Sequence, residues 1–396
     1  MQAYLLDWLN LLGRWIHLIA GIAWIGASFY FVWLDNHLLP PTDAELERRG
    51  VGGELWAIHG GGFYNAQKYK LAPATLPAHL HWFKWEAYTT LMSGFFLLCL
   101  IYYVGADIYL IDKSVADIGQ VTAIAIGLGT LVGGWIVYDR LCESPLIRNE
   151  AAFAAVLAIL LGAAAYGLCH VFSARGAFIH FGAMLGTIMV LNVYFVIMPG
   201  QRELVAATAQ GRVPDARPGL RAKQRSVHNT YFTLPVLFAM ISTHYAMLYG
   251  SRYNWAVLMA LSVAGALIRI FFVARHKGHA SPLPLAAGVL ILAGVGFALA
   301  PASPGAATGG AKNDFTRVQV IVTERCAPCH SATPALAGFT AAPKGMMFDT
   351  PERIVAQAVQ IQTQVASKAM PLGNLTNMTD EERAVIAGWV AQSATH

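Results

Sequence analysis

Charged residues are scarce in this chain. Asp, Glu, Lys and Arg make up 12% of its 396 residues and apolar residues 56%, whereas soluble domains carry about 25% charged residues. That balance excludes an ordinary soluble enzyme, a disordered chain and a collagen-like fibre. Cysteine is scarce too: five in the whole chain are too few for a disulfide framework. No tandem repeat of fixed period is present. What the chain has in abundance is long apolar runs.

Eight such runs are expected to be membrane-spanning helices, at roughly 9–34, 87–105, 121–138, 151–172, 177–198, 231–249, 255–274 and 283–300. Each approaches the ~20 residues that a bilayer requires, and an open strand could not satisfy its backbone in lipid. The first run is expected to stay in place rather than be cleaved as a signal, because no Lys or Arg precedes it and it exceeds an h-region in length. Residues 301–313, rich in Pro, Gly and Ala, read as a flexible linker. Residues 314–396 read as a small soluble domain. From 303 onward seven basic residues balance seven acidic ones, so the net charge of +5 belongs to the membrane part.

That positive charge is unevenly divided. The loops 35–86, 139–150, 199–230 and 275–282 hold fifteen Lys and Arg, and the alternate loops hold three, Lys113, Arg175 and Arg252. Basic loops stay in the cytoplasm, so both termini are expected outside, in the periplasm of a Gram-negative cell. The basic residues report topology and do not suggest a nucleic-acid site.

Residues 326–330 read Cys-Ala-Pro-Cys-His, the attachment motif of a c-type haem. Cys326 and Cys329 would add to the haem vinyl groups and His330 would reach the iron. Four methionines follow as candidates for the second axial ligand: Met346, Met347, Met370 and Met378. Met370 is the preferred one, because it precedes Pro371 in a loop before the last helix. Met/His ligation raises the potential of a haem. Thr379 and Glu382 form a capping box for a helix over 380–392 that turns Val385, Ile386, Trp389 and Val390 inward. Residues 314–325 form its partner. Haem c is attached outside the cytoplasmic membrane, in agreement with the charge pattern.

Within the spans, His17, His180 and His244 are expected in the outer half, as is His170 near the surface. Ionisable residues in a bilayer are uncommon and mark function. His17 and His244 are candidate ligands for a b-type haem or another redox metal, although hydrogen bonds to neighbouring carbonyls would equally explain them. Arg14 lies one turn before His17 and is a candidate for an anionic substrate or haem propionates, or a snorkelling side chain. Arg269 is expected to snorkel. Cys99, Cys142 and Cys169 read as small packing residues. The inner side offers His81, Glu86, His228 and Asn229. His79-x-His81 is a weak metal motif beside the interfacial Trp82 and Trp85. His59-Gly60-Gly61-Gly62 matches an oxyanion loop, but no GxSxG nucleophile accompanies it. The 35–86 loop is long enough to predict concealed structure or function.

Several long strings resemble the cytochrome c-type membrane urate oxidases (urate hydroxylases). They are Arg14-Trp15-Ile16-His17-Leu18 with Gly21–Gly26 and Phe31–Asn36, HGGGFYNAQKYKLAP at 59–73, LHWFKWEAYTTLMSGF at 80–95, NVYFVIMPGQRELVAA at 192–207 and HNTYFTLPVLFAMISTHY at 228–245. The resemblance spans essentially the whole chain. It implies an all-α polytopic bundle of about eight spans over 1–300, followed by the linker and a class I-like monohaem cytochrome c domain over 314–396. It further implies oxidation of urate to 5-hydroxyisourate with water as oxygen source, without hydrogen peroxide. Electrons would pass to the haem c of Cys326, Cys329, His330 and Met370, then to a respiratory cytochrome or terminal oxidase. The opening span also distantly resembles a membrane family whose first-helix histidine binds haem b, which favours His17 by analogy alone.

No catalytic residue of the membrane part is implied. Urate gives two electrons and a haem c accepts one, so a second cofactor in the membrane is a natural expectation. Base candidates are His17, His180, His244, His81, Glu86 and His228, with Arg14 and Asn229 as substrate-binding candidates. The alternative reading is a haem b/haem c electron-transfer module oxidising quinol or a protein partner. A transporter with a cytochrome sensor would explain the spans but not the CxxCH.

Overall fold

The computed structural model describes residues 2–278, 281–300, 315–336, 339 and 341–393. The expected linker at 301–313 lies outside the described residues. Seven of the eight apolar runs are matched by helices, α1 (Gln2–His37), α2 (Trp85–Tyr103), α3 (Gln120–Glu143), α4 (Glu150–Cys169), α5 (Ala174–Ala209), α7 (Asn254–His276) and α8 (Leu283–Ala298), while α6 (Ala216–Ile241) overlaps the run expected at 231–249 only up to Ile241. Six of them are long and apolar enough to cross a membrane. The exceptions have different causes. The helix of the sixth run begins fifteen residues earlier than the run, so its first half is polar. α8 has only 16 residues.

Helix starts follow local chemistry. Asn149 accepts from the amide of Ala152 at 3.1 Å to open α4, and Ser173 accepts from Gly176 at 3.1 Å to open α5. Each replaces a missing intrahelical partner. α5 is the hub, packed against α2, α3, α4 and α6. A Cβ on Gly182 of α5 would stand 2.8 Å from the Cβ of Ala239 on α6. Such small-residue contacts let helices approach closely in a bilayer, where lipid tails compete for every apolar face. Two widened π turns, Cys99–Tyr103 in α2 and Val193–Ile197 in α5, interrupt otherwise regular helix, a feature common near functional sites.

The 35–86 segment corrects the all-α expectation. It contains an antiparallel hairpin of β1 (Val51–His59) and β2 (Gly62–Tyr69). Gly60 and Gly61 take φ of +57° and +82° between the paired His59 and Gly62. Two successive positive φ values are what a tight hairpin turn demands. The glycines of the HGGG string therefore build a turn and not an oxyanion loop. Lys68 meets Asp35 of α1 at 2.7 Å and ties the hairpin to the bundle.

Residues 315–393 form a second helical unit. α9 (Phe315–Arg325), α10 (Pro351–Ala356), α11 (Ala358–Ala366) and α12 (Asp380–Ser393) enclose Val318, Val322, Phe348, Ile354, Ile386 and Trp389. The capping box closes in both directions. Thr379 N donates to Glu382 at 2.8 Å, and Glu382 N donates to the Thr379 hydroxyl at 3.2 Å. The same carboxylate takes a forked bond from Arg325, with Nε at 3.1 Å and Nη2 at 2.9 Å. Burial alone would raise the Glu382 pKa, but the Arg325 and Thr379 bonds outweigh it and hold the carboxyl below its ordinary 4.5. A depressed carboxylate stabilises the fold above its unfolded pKa, and that contribution vanishes as pH falls through the lower folded value.

The expected outcome is a contribution that is flat above about pH 4.5 and lost below it. Glu382→Gln should remove this acid limb from unfolding curves followed by hydrogen exchange at 315–325 and 380–393. Thr379→Ala should cost about 1 kcal/mol at neutral pH in the same measurement.

Candidate functional site

The histidines and arginines singled out from sequence do not form one site. They fall into a cavity at the end of the bundle that the loop charges would place outside (the outer cavity), a buried core position, a polar network and a surface toward the opposite end (the inner ones), and the CxxCH unit.

The outer cavity has a volume of about 420 Å³ and lies between α1, α2, α5 and the end of α6. Its walls are largely apolar, and its polar lining includes Arg14, His17, Thr90, Tyr102, Arg175 and His244. His17 Nδ1 lies 3.1 Å from both the Thr90 carbonyl and the Ser93 hydroxyl. A carbonyl only accepts, so Nδ1 carries the proton and Nε2 keeps a free lone pair. The ring rests on Gly94, whose Cβ would meet it at 2.8 Å. Arg14 is anchored by Nε to Asn10 at 2.6 Å. Arg175 enters from the first turn of α5. Its guanidinium lies 5.8 Å from the centre of the Tyr109 ring, and its buried Nε has no protein partner. Arg175 and Tyr102 were not among the sequence candidates. The available signal was a single basic residue at the start of an apolar run, which loop counting treats only as topology.

His244 is placed differently from the expectation. α6 ends at Ile241, and His244 occupies a following turn (Ser242–His244), exposed at the cavity rim and not deep in a span. A bis-histidine b-type haem would need two rings facing each other across the cavity, whereas a five-coordinate one needs a single histidine. His17 offers one free nitrogen from a helix, while His244 stands on a rim turn, so the fit to haem b is met by one residue only. His170 stacks on Tyr166 at 4.0 Å and is exposed. Arg269 does not snorkel. It is 6% exposed, with its guanidinium 3.7 Å from the Phe29 ring centre.

His180 is fully buried inside the α2–α3–α5 core. Nδ1 bonds to the Gly176 carbonyl at 2.8 Å, and Nε2 lacks a protein partner, as does the neighbouring Tyr103 hydroxyl. Both atoms face Gly127, whose Cβ would lie 2.8 and 2.9 Å from them.

The inner network is built around Arg225 of α6 and Asp139 of α3, which meet at 2.7 Å. Arg225 also reaches Asn192 at 3.4 Å. Asn192 Nδ2 donates to the Tyr138 hydroxyl at 3.2 Å and to Asn229 Oδ1 at 3.0 Å. The Tyr138 hydroxyl bonds with His228 Nδ1 at 2.8 Å. Asn229 Nδ2 donates to the carbonyl of Met189 at 2.9 Å, and Met189 lines the outer cavity. Asn229 therefore supports a wall of the cavity from behind and is not among its lining residues. Arg225 was expected to be a loop charge. Its real setting was legible in the helical spacing of Ala222, Arg225, Asn229, Phe232 and Val236, all buried on one stripe of α6.

His81 and Glu86 sit apart from both groups. His81 is exposed, edge-on to Phe83 at 4.5 Å, and Glu86 lies in the first turn of α2. Among the described residues, no three His, Cys, Asp or Glu side chains group closely enough to hold a metal ion. Cys142 and Cys169 are buried packing residues and Cys99 is half-buried.

In the C-terminal unit Cys326 and Cys329 are free thiols. Burial pushes Cys326 up to about 12, with the neighbouring Cys329 adding to the rise, and burial also raises Cys329. His330 Nδ1 donates to the Met346 carbonyl at 3.0 Å, which leaves Nε2 for a metal. The four methionines differ in availability. Met378 is buried in the core, Met346 packs against it, and the Met347 sulfur faces Arg353 at 3.6 Å. The Met370 backbone is fixed by Arg383, whose Nη1 donates to its carbonyl at 2.8 Å, and its thioether has no protein partner. This donor set fits a covalently attached haem.

The fold and these groups define a helical protein with membrane-length apolar helices and, among them, a largely apolar cavity that carries a few polar side chains. The family model for the urate oxidase N-terminal domain matches residues 3–300. The chain belongs to that family, which ties it to urate-related oxidoreductase chemistry. No curated protein and no solved structure matches the chain.

Removing one partner of a buried ion pair leaves an uncompensated charge, at a cost of about 3–5 kcal/mol. Arg225→Met is expected to lower the thermal stability of the detergent-solubilised protein by that order. Arg225→Met combined with Asp139→Leu should recover most of it. A loss in the double variant equal to the sum of the Arg225→Met and Asp139→Leu losses would show that the pair does not couple.

Proposed function

We propose that this chain is a membrane-bound urate oxidase. It converts urate to 5-hydroxyisourate with water and delivers electrons to a haem c held by its own C-terminal domain. The supporting observation is the outer cavity, whose largely apolar lining includes Arg14, Arg175 and His17. Urate is a planar anion at neutral pH. A guanidinium offers in-plane paired donors to such a group, and low-dielectric walls strengthen the attraction.

The half-reaction is urate plus water giving 5-hydroxyisourate, two protons and two electrons. Water supplies the new oxygen, so peroxide has no place in the balance. His17 is the base: its Nδ1 proton is committed to Thr90 and its Nε2 lone pair is free to take a proton from substrate or water. Arg14 and Arg175 bind the purine oxygens and stabilise negative charge that develops on them. Cys326 and Cys329, kept protonated by burial, suit thioether formation, in which each sulfur bonds one vinyl carbon and its proton goes to the other. His330 and Met370 would hold the haem iron. The haem, when bound, supplies one-electron acceptance at a raised potential. Two successive transfers complete one turnover, and a respiratory cytochrome or terminal oxidase removes each electron. The loop charges support an inner-membrane location with both termini in the periplasm.

Anaerobic mixing of the oxidised full-length protein with urate tests this. Prompt haem c reduction is expected, with one covalent haem per chain and no extractable haem. His17→Ala should slow urate-driven reduction by about 10²-fold or more while leaving reduction by ascorbate unchanged. Reduction by quinol but not by urate would replace the proposal with the electron-transfer module.

A further inference from the structure

Among the described residues, the C-terminal domain approaches the bundle on both sides of the loop that carries Met370. On one side, the Ser367 carbonyl lies against the position a Cβ on Gly250 would occupy. Gly250 has φ −75°, a conformation open to any residue, so what crowds a side chain there is the approach of Ser367, with the Ala246 carbonyl of the bundle a lesser contact at 2.9 Å. On the other side, a Cβ on Gly373 would stand 3.0 Å from the Ile108 carbonyl and 3.1 Å from the Ile111 carbonyl. Ser367 and Gly373 lie three residues either side of Met370. Arg383 links the loop to the seam: it donates to the carbonyls of Val365 and Met370, each at 2.8 Å, and its charge is drawn to Asp112 of the bundle.

Beneath the seam the chain leads to the outer cavity. Ser173, the cap of α5, donates its hydroxyl to the Tyr109 carbonyl at 2.7 Å and its amide to the Leu110 carbonyl at 2.8 Å. Arg175 lies over the Tyr109 ring. Tyr109 and Tyr102 have ring centres 6.3 Å apart, and Tyr102 lines the cavity.

We propose that the Ser367–Gly373 loop is the face through which the C-terminal domain takes electrons from the cavity. It is seated on Gly250 and on the Ile108 and Ile111 carbonyls, with Tyr102 and Tyr109 bridging the gap. This rests on the urate reading above. Each turnover sends two electrons across the seam one at a time. An external one-electron oxidant, ferricyanide in the test, resets the haem between them, and the two protons leave to water. Electron tunnelling falls steeply with distance, so transfer requires the seated state.

Gly250→Leu forces the Ser367 carbonyl away without touching the cavity or the CxxCH residues. In the full-length holoprotein, urate-driven haem c reduction is expected to slow about ten-fold or more, as the seated fraction falls to about a tenth. Haem content, visible spectrum and ascorbate reduction should stay as in the wild type. Asp112→Asn, which removes the charge at nearly constant size and keeps an oxygen for Ser114, should slow urate-driven reduction in the same direction. Hydrogen exchange gives a readout independent of urate: 106–112 and 367–375 should be protected in the wild type and should open together in Gly250→Leu. Wild-type rates in a correctly haem-loaded Gly250→Leu protein overturn the proposal, as does an unprotected seam in the wild type. A wild-type haem that urate does not reduce overturns the urate reading, and the seating is then decided by hydrogen exchange alone.

Discussion

The pairing of Arg225 with Asp139 sets a condition that much of the bundle obeys. At 2.7 Å, with the arginine side chain 1% exposed, neither charge has water to fall back on. A lone buried charge is far more costly than a paired one, so α3 and α6 are held in one register. Asn192 extends the constraint to α5, and Asn229 passes it to the Met189 carbonyl at the cavity wall. A polar network at one end of the bundle thereby fixes the back wall of a cavity toward the other. Close helix contacts such as Gly182 on Ala239 supply the packing this register requires.

The outer cavity and the C-terminal unit follow the same economy of fixed donors. His17 commits one nitrogen to backbone and keeps one free, and His330 does the same with the Met346 carbonyl. In both places a carbonyl decides which nitrogen holds the proton. Arg383 and Arg325 play a related part in the C-terminal unit. Each satisfies backbone carbonyls while reaching a carboxylate or side-chain amide, and each flanks a residue of the haem motif, Met370 or Cys326.

Much of this was legible in the residues alone, for identifiable reasons. The apolar runs predict helices because a bilayer leaves the backbone no other partner. Thr379 and Glu382 predict a helix start because the capping box is local chemistry, and its two bonds form as the spacing requires. The runs misplace the register of α6, which begins at Ala216 with a polar half that apolarity cannot detect. They also conceal the hairpin at 51–69, whose glycines match a catalytic string while serving a turn. Arg269 was misjudged because proximity to a helix end does not reveal the aromatic ring that covers it.

Residue type and local spacing settle the classes of element and the local motifs: which segments are apolar, where helices are capped and which residues match a haem attachment. These depend on neighbours within a few positions of the chain. Only the tertiary structure decided which distant polar groups meet. It separated His81 and Glu86 from the cavity, moved His244 to its rim, brought in Arg175, joined Arg225 to Asp139, and set the Met370 loop on Ile108, Ile111 and Gly250. Those choices depend on helix register and crossing, which the packing of small residues and the pairing of buried charges fix across the whole bundle.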